Sequence, residues 1–262
     1  MNVIATPAAP TGVSEQEWKV RCDLAALYRL VAHFRMTDLI YTHISARLPG
    51  PDHHFLINQY GVQFHEIRAS DLVRIDLDGR IVEQGSPKGA SGRFVNAAGF
   101  TIHSAIHMAR PDLTCVIHTH TAAGIAVSAQ EQGLLPISQH AMKFYGQVSY
   151  HGYEGIALDL DERDRLVRDL GPDNKVMILR NHGLLAAGRA IPEAWGEIYF
   201  LERACQAQVA ALAGGCKLVM PPEEVRRHTA EQAKRAATPE HTEMLWQSCL
   251  RLIEEGRPDY RS

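Results

Sequence analysis

The stretch LTCVIHTHT at residues 113–121 decides how the rest of the chain is read. Its first five residues are apolar or β-branched, as a buried strand requires, and His118 and His120 follow with one threonine between them. Alternate side chains of a strand leave the same face, so this spacing sends both imidazoles into one space. Two convergent imidazoles suit a divalent transition metal, and a third ligand would complete a centre with an open coordination position. His182 is the candidate third, in Asn181-His182-Gly183 directly after a second strand-like run, VMILR at 176–180. Taken alone, so short a pattern is also explained by ordinary hydrogen-bonded histidines at a strand end.

Composition narrows the classes open to the chain. With 262 residues, 45% of them hydrophobic, it can bury one good core, and a single domain over residues 14–262 is expected. A net charge of −3 advertises no basic face, so no nucleic-acid partner and no anionic lipid surface are expected. The five cysteines at 22, 115, 205, 216 and 249 are scattered, odd in number and never spaced as CxxC. That argues against a disulfide framework or a cysteine-rich zinc module and points to a reducing compartment. No leader-like apolar segment and no run of membrane-spanning length occurs, so the expectation is a cytoplasmic protein with no membrane partner. Nine of the fourteen histidines lie between 43 and 140.

Outward from the histidine strand, periodicity predicts the remaining elements. Residues 1–13 are rich in Ala, Pro and Thr and read as disordered. A helix starts at Ser14, with Glu17 placed to complete a capping box and Leu24, Leu27, Tyr28, Val31 and Phe34 on its core face. Strands follow at 41–48 and 53–58, then a tight loop with Tyr60 and Gly61, a strand at 71–77, a hairpin turn at Asp78-Gly79 and a return strand from Ile81. The Gly/Ser-rich stretch 83–93, with Lys88, reads as a solvated loop. Helical spacing at 98–110 ends at Pro111, and the helix feeds the histidine strand. A short helix over 122–130, a strand or loop carrying His140 and a strand at 148–150 come next. A helix over 159–170, the strand delivering His182, an extended 184–187, a long helix over 192–213 and further helices within 222–254 complete the reading.

Together these segments resemble the class II aldolase/adducin family, most closely its adducin-like bacterial branch. The carriers are THISAR (42–47), LINQYG (56–61), AGFTIHSAIH (98–107), RPD (110–112), VIHTH (116–120), AVSAQEQGLLPISQ (126–139) and LRNHGLL (179–185). The resemblance implies a three-layer α/β/α domain around a mainly antiparallel sheet, in a homotetramer with active sites between subunits. It also implies that His118, His120 and His182 hold one divalent ion, zinc first, with manganese or iron as alternatives, acting as a Lewis acid on a small-molecule substrate.

Three departures from the sugar-phosphate aldolases of that family shape the functional expectation. The glutamate that shuttles the proton in those enzymes corresponds here to Gly99, which has no acid/base chemistry. The phosphate-holding serines correspond to Ala97 and Ala98, and the asparagine of the first phosphate loop to His43. A tyrosine contributed by the neighbouring subunit corresponds to a position at or near His140, whose imidazole is suited to proton transfer near neutral pH. With Tyr60 and Gly61, the residues His43, Ala97, Ala98 and Gly99 are expected to line the pocket.

The reading is then a metal-dependent lyase that cleaves a carbon–carbon bond of a non-phosphorylated hydroxy or oxo acid, by decarboxylation or retro-aldol cleavage. A non-catalytic adducin-like binding domain and an Fe(II)-dependent oxygenase are the alternatives. Tyr260 is a second catalytic candidate, reaching from the tail into a neighbouring site. His103 and His107, four apart on one helix, are either a second metal pair or a helix face packed on the sheet. Arg47 and Arg180 are carboxylate-binding candidates or structural ion pairs, His65-Glu66 a possible pocket edge, and His53-His54 a surface strand pair.

Overall fold

A computed structural model of the chain describes residues 3–82, 95–155, 161–256 and 258–262, apart from the side chains of Ala97 and Ala98. The expected loop with Lys88 lies outside the described residues, as do 159 and 160 at the start of one predicted helix.

Seven strands form one sheet: β1 (His43–Arg47), β2 (Phe55–Ile57), β3 (Val73–Ile75), β4 (Cys115–Thr119), β5 (Val148–His151), β6 (Val176–Leu179) and β7 (Gly183–Gly188). Their order is β3-β2-β1-β4-β7-β6-β5, and every neighbouring pair is antiparallel except β5 with β6. Strand alternation sorts the core into two halves. Cys115 and Ile117 of β4, with Ile44, Ile178, Leu184 and Ala186, face helices α1 (Glu15–His33), α3 (Ala122–Ser128), α6 (Ile191–Ala213) and α8 (Pro239–Glu254). Val116 of β4, with Met177, Leu179, Leu185 and Ala187, faces α2 (Ala97–Ala109) and α5 (Glu162–Leu170). This is the expected α/β/α arrangement. Each fully buried large side chain, such as Trp195 or Leu27, contributes roughly 1.5–3 kcal/mol of burial free energy. The remaining helices are α4 (Gln139–Lys143) and α7 (Glu223–Ala236), and no helix among the described residues is long and apolar enough to cross a membrane.

Several local expectations are corrected. Ser14 caps α1 by accepting from the Glu17 amide at 3.1 Å, but the Glu17 carboxylate is drawn to Arg21 and Arg74 and does not close a capping box. His53 leaves the strand conformation, with φ 52, so β2 begins only at Phe55. The described part of the return strand after Gly79 ends at Val82 and is tied to β3 by a bridge between Ile81 and Ile75. Residues 3–13, read as disordered from composition, are tied down. The Ile4 amide donates to Gln247, the Ala5 carbonyl accepts from Arg261 at 2.9 Å, and Ile4, Ala9 and Val13 pack on the core. Composition sets what a free segment does, and here Gln247 of α8 and Arg261 near the chain end supply the contacts. Tyr260 is likewise drawn inward. It is buried in the core, its hydroxyl 3.2 Å from Glu254, and in this fold it does not extend toward a neighbouring molecule.

Candidate metal centre

β4 presents Val116 and His118 on the α2/α5 side of the sheet, and His120 continues that alternation just past the strand end. His182 arrives from the β6–β7 turn, in which Leu179 pairs with Gly183 and Asn181 takes the left-handed conformation, φ 55, a geometry that asparagine tolerates better than most residues. Gly183 is required by packing: a Cβ there would stand 2.4 Å from the Thr119 carbonyl oxygen. The glycine lets β7 close on the end of β4 and brings His182 to the other two histidines.

The Nε2 atoms of His118 and His120 are 2.8 Å apart, and those of His120 and His182 2.9 Å. The opposite nitrogens explain why Nε2 converges. His118 Nδ1 lies 2.9 Å from the Leu184 carbonyl, which fixes the proton on Nδ1 and leaves Nε2 as a lone-pair donor. His120 Nδ1 is held in the same way, 3.0 Å from the Asp38 carboxylate. Such outer contacts orient imidazoles for metals. Burial, reinforced by the neighbouring imidazoles, pushes His118 well below the ordinary histidine value and His182 down to about 4. Both are therefore neutral at physiological pH, as ligation requires. Among the described residues this is the group of histidine, cysteine and acidic side chains able to hold an ion, so the donor set fits a divalent transition metal.

A second layer of histidines runs inward from the triad. His43 sits opposite His118 in the β1–β4 register, its ring 5.5 Å from that of His118 and 4.5 Å from that of His103. His103 and His107 are fully buried on α2 and share one hydroxyl: Ser45 Oγ is 2.6 Å from His103 Nδ1 and 2.7 Å from His107 Nε2. They are therefore a helix face packed on the sheet, and the alternative of a second metal pair is set aside. Burial pushes His43 and His107 down to about 3. Among the described residues no side chain meets either buried nitrogen of His43 in normal hydrogen-bond geometry, and the Thr42 backbone lies close enough to favour a proton slightly.

The other sequence candidates divide. Gly99 is buried directly against the His43 ring. Tyr60 and Gly61 lie in the turn after β2, and no ring contact joins Tyr60 to the histidine cluster. His140 is exposed on α4 and stacks on Phe200, ring centroids 5.4 Å apart. Among the described residues Arg47 and Arg180 form neither a carboxylate clamp nor an ion pair: Arg47 donates to the His107 carbonyl, and Arg180 to the Gln130 and Glu131 carbonyls, over the Tyr150 ring. His65 is exposed, and Glu66 accepts from the Gln63 amide.

Two features of the site escaped the sequence reading. Asp38 comes from a loop with no pattern of its own, 82 residues from its partner. A cleft beside His182 is lined by His151, Tyr153, Glu154, Glu162 and Arg180, with His151 held 2.8 Å from Asp169. Left-handed backbone at Leu39, Thr42 and Asn181 immediately adjoins Asp38, His43 and His182. Such strain costs about 1–3 kcal/mol per residue and gathers at functional sites.

Residues 22–209 match the model for the Class II Aldolase and Adducin N-terminal domain, and the chain belongs to that family. A solved structure described as an aldolase II superfamily protein from Pseudomonas syringae is 55% identical, covering 95% of this chain and 98% of that one, with a TM-score of 0.89. L-fuculose 1-phosphate aldolase from Glaciozyma antarctica PI12 is 29% identical over 97% of each chain, with a TM-score of 0.81. Alpha-adducin of Rattus norvegicus is 48% identical over 194 residues, 74% of this chain but 26% of that protein.

Proposed function

We propose that the protein is a metal-dependent lyase that breaks a carbon–carbon bond of a small, non-phosphorylated hydroxy or oxo acid, by decarboxylation or retro-aldol cleavage. The observation that carries this reading is the convergence of three Nε2 atoms from His118, His120 and His182. A divalent ion bound there, zinc first with manganese or iron as alternatives, supplies Lewis acidity that draws off the electron pair left when the bond breaks. The chain's own residues do the rest. Leu184 and Asp38 keep His118 and His120 in the ligating tautomer. Gly99, at the head of α2, offers no carboxylate for substrate deprotonation, which favours decarboxylation, a reaction that needs no such base. Ala97 and Ala98 supply no hydroxyls for a phosphate. His140, exposed on α4, is proposed as the proton donor of a neighbouring subunit in a cytoplasmic homotetramer.

The 48% identity to alpha-adducin favours a second reading, a binding module without turnover. Incubating the zinc-, manganese- and iron-loaded protein with a panel of hydroxy and oxo acids, with and without oxygen, separates these readings. Carbon dioxide or aldehyde released without oxygen supports the lyase. Oxygen-dependent turnover supports an iron oxygenase, and no turnover on the panel with any metal supports the binding module.

A further inference from the structure

We propose that the cleft beside His182 receives the hydroxyl end of the small acid held at the histidine triad, and that Glu162 and His151 together bind that hydroxyl. The inference rests on the lyase reading above and adds to it the part of the substrate that the site selects.

Sheet register puts the pair next to the triad. Strand β7 is antiparallel to both β4 and β6, and β5 is parallel to β6, so β4, β6 and β5 all run the same way. Their C-terminal ends meet at one edge of the sheet, where β4 leads to His120, β6 leads to His182 and β5 ends in His151. Leu179 pairs with Gly183 on one side and His151 on the other, which puts His151 on the α2/α5 face of the sheet. Helix α5 packs on β5 and begins with Glu162. The cleft between them holds about 240 Å³, part of it open to solvent, with Ile102, Leu166 and Leu179 as its apolar wall and His151, Glu162 and His182 among its polar groups.

The pair is held in place but incompletely satisfied. His151 and Glu162 are only 3% and 7% exposed. Asp169 holds the ring at Nδ1, 2.8 Å away, and this turns Nε2 toward Glu162. That second contact is 3.4 Å, long for a hydrogen bond, and among the described residues it is the one polar contact of the Glu162 side chain. A buried carboxylate so poorly met calls for a partner from outside the chain.

The chemistry of the pair selects the ligand. A hydroxyl is donor and acceptor at once, so one OH bridges Nε2 and the Glu162 oxygen whichever of them carries the shared proton. An ammonium only donates, and a carboxylate or phosphate only accepts. An anion would also meet the negative charge of Glu154 and Asp169, while Arg180, the cation at the rim, is turned to the Gln130 and Glu131 carbonyls.

The test uses the full chain loaded with Co2+ and follows the visible cobalt spectrum during titration with three chelating probes that differ at one group. Acetohydroxamate has a methyl there, glycolohydroxamate adds a hydroxyl to it, and glycine hydroxamate carries an ammonium. The wild type binds glycolohydroxamate about 10-fold or more tighter than acetohydroxamate, the range for a hydrogen bond to a charged group. Glu162→Ala loses that preference, while its cobalt content and its affinity for acetohydroxamate stay at wild-type values. Glu162→Gln and His151→Gln keep only part of it, and they carry the comparison if Glu162→Ala does not fold. No probe binding, no preference in the wild type, a preference unchanged in these variants, or tighter binding of glycine hydroxamate than of glycolohydroxamate overturns this inference. The lyase reading is judged separately by turnover of the acid panel, and failure of the wild type to take up cobalt overturns both.

Discussion

A Cβ on Gly183 would meet the backbone oxygen of Thr119 at 2.4 Å, so these two residues set how closely β7 approaches the end of β4. The Thr119 carbonyl is backbone and cannot turn away as a flexible side chain would. Gly183→Ala must therefore shift the β6–β7 turn and carry His182 off the other two histidines. The expected loss is about 1–3 kcal/mol of stability, the usual range for overpacking, together with weaker metal binding. Thermal unfolding and metal titration of the variant check both, and wild-type values in each would show that the contact is easily relaxed.

Asp38 touches the candidate metal centre through His120 Nδ1. Replacing it with Asn removes the anionic acceptor and frees the ring to turn. Metal affinity should fall about 10–100-fold, as when comparable outer contacts are removed, with little change in fold because Asp38 is partly exposed. Competition with a chromophoric chelator measures the change.

The buried histidines make stability depend on acid. His43 and His107 are pushed down from 6.5 to about 3, chiefly by burial. Below 6.5 the unfolded chain protonates these groups while the folded protein does not. Stability is therefore complete above pH 6.5 and falls as pH drops toward 3, by about 1.4 kcal/mol per pH unit for each histidine. Urea unfolding should give a flat midpoint from pH 7 to 8 and a steep decline below 6.5, shallower in His107→Gln. Equal slopes in the two proteins would mean that His107 is not held neutral.

Tyr28 joins α1 to two strands. Its hydroxyl accepts from the amides of Ile44 at 2.9 Å and Asn58 at 3.1 Å. Tyr28→Phe leaves both amides unmet in the core, and each orphaned group costs about 1–3 kcal/mol. Denaturant unfolding should show that loss while the chain still binds metal, since Tyr28 packs on the α1 side of the sheet, opposite the triad.

How much of this was legible in the sequence follows from the range of the interactions. The triad was legible because strand alternation and a turn motif place His118, His120 and His182 almost without tertiary information. The α/β/α layering was legible only through the resemblance to the class II aldolase/adducin family, not from the period of any one strand. Asp38 was not, because a loop aspartate has no periodicity and its partner is distant in sequence. Ser45 looked like an ordinary strand residue until α2 laid His103 and His107 across it. Gly99 was read as a missing glutamate and as pocket lining. That it makes room for His43 depends on packing between α2 and β1, which no local pattern encodes. Tyr260 and residues 3–13 were misjudged because their docking partners on α8 and at the chain end are supplied only by the finished fold.

The central claim is that His118, His120 and His182 bind one divalent ion between them. Calorimetric titration of metal-stripped protein with Zn2+, alongside His182→Ala, tests it most directly. One ion per chain with the wild type, and affinity sharply reduced in a folded variant, is the predicted result. No binding to the wild type, or equal affinity in both proteins, would contradict it.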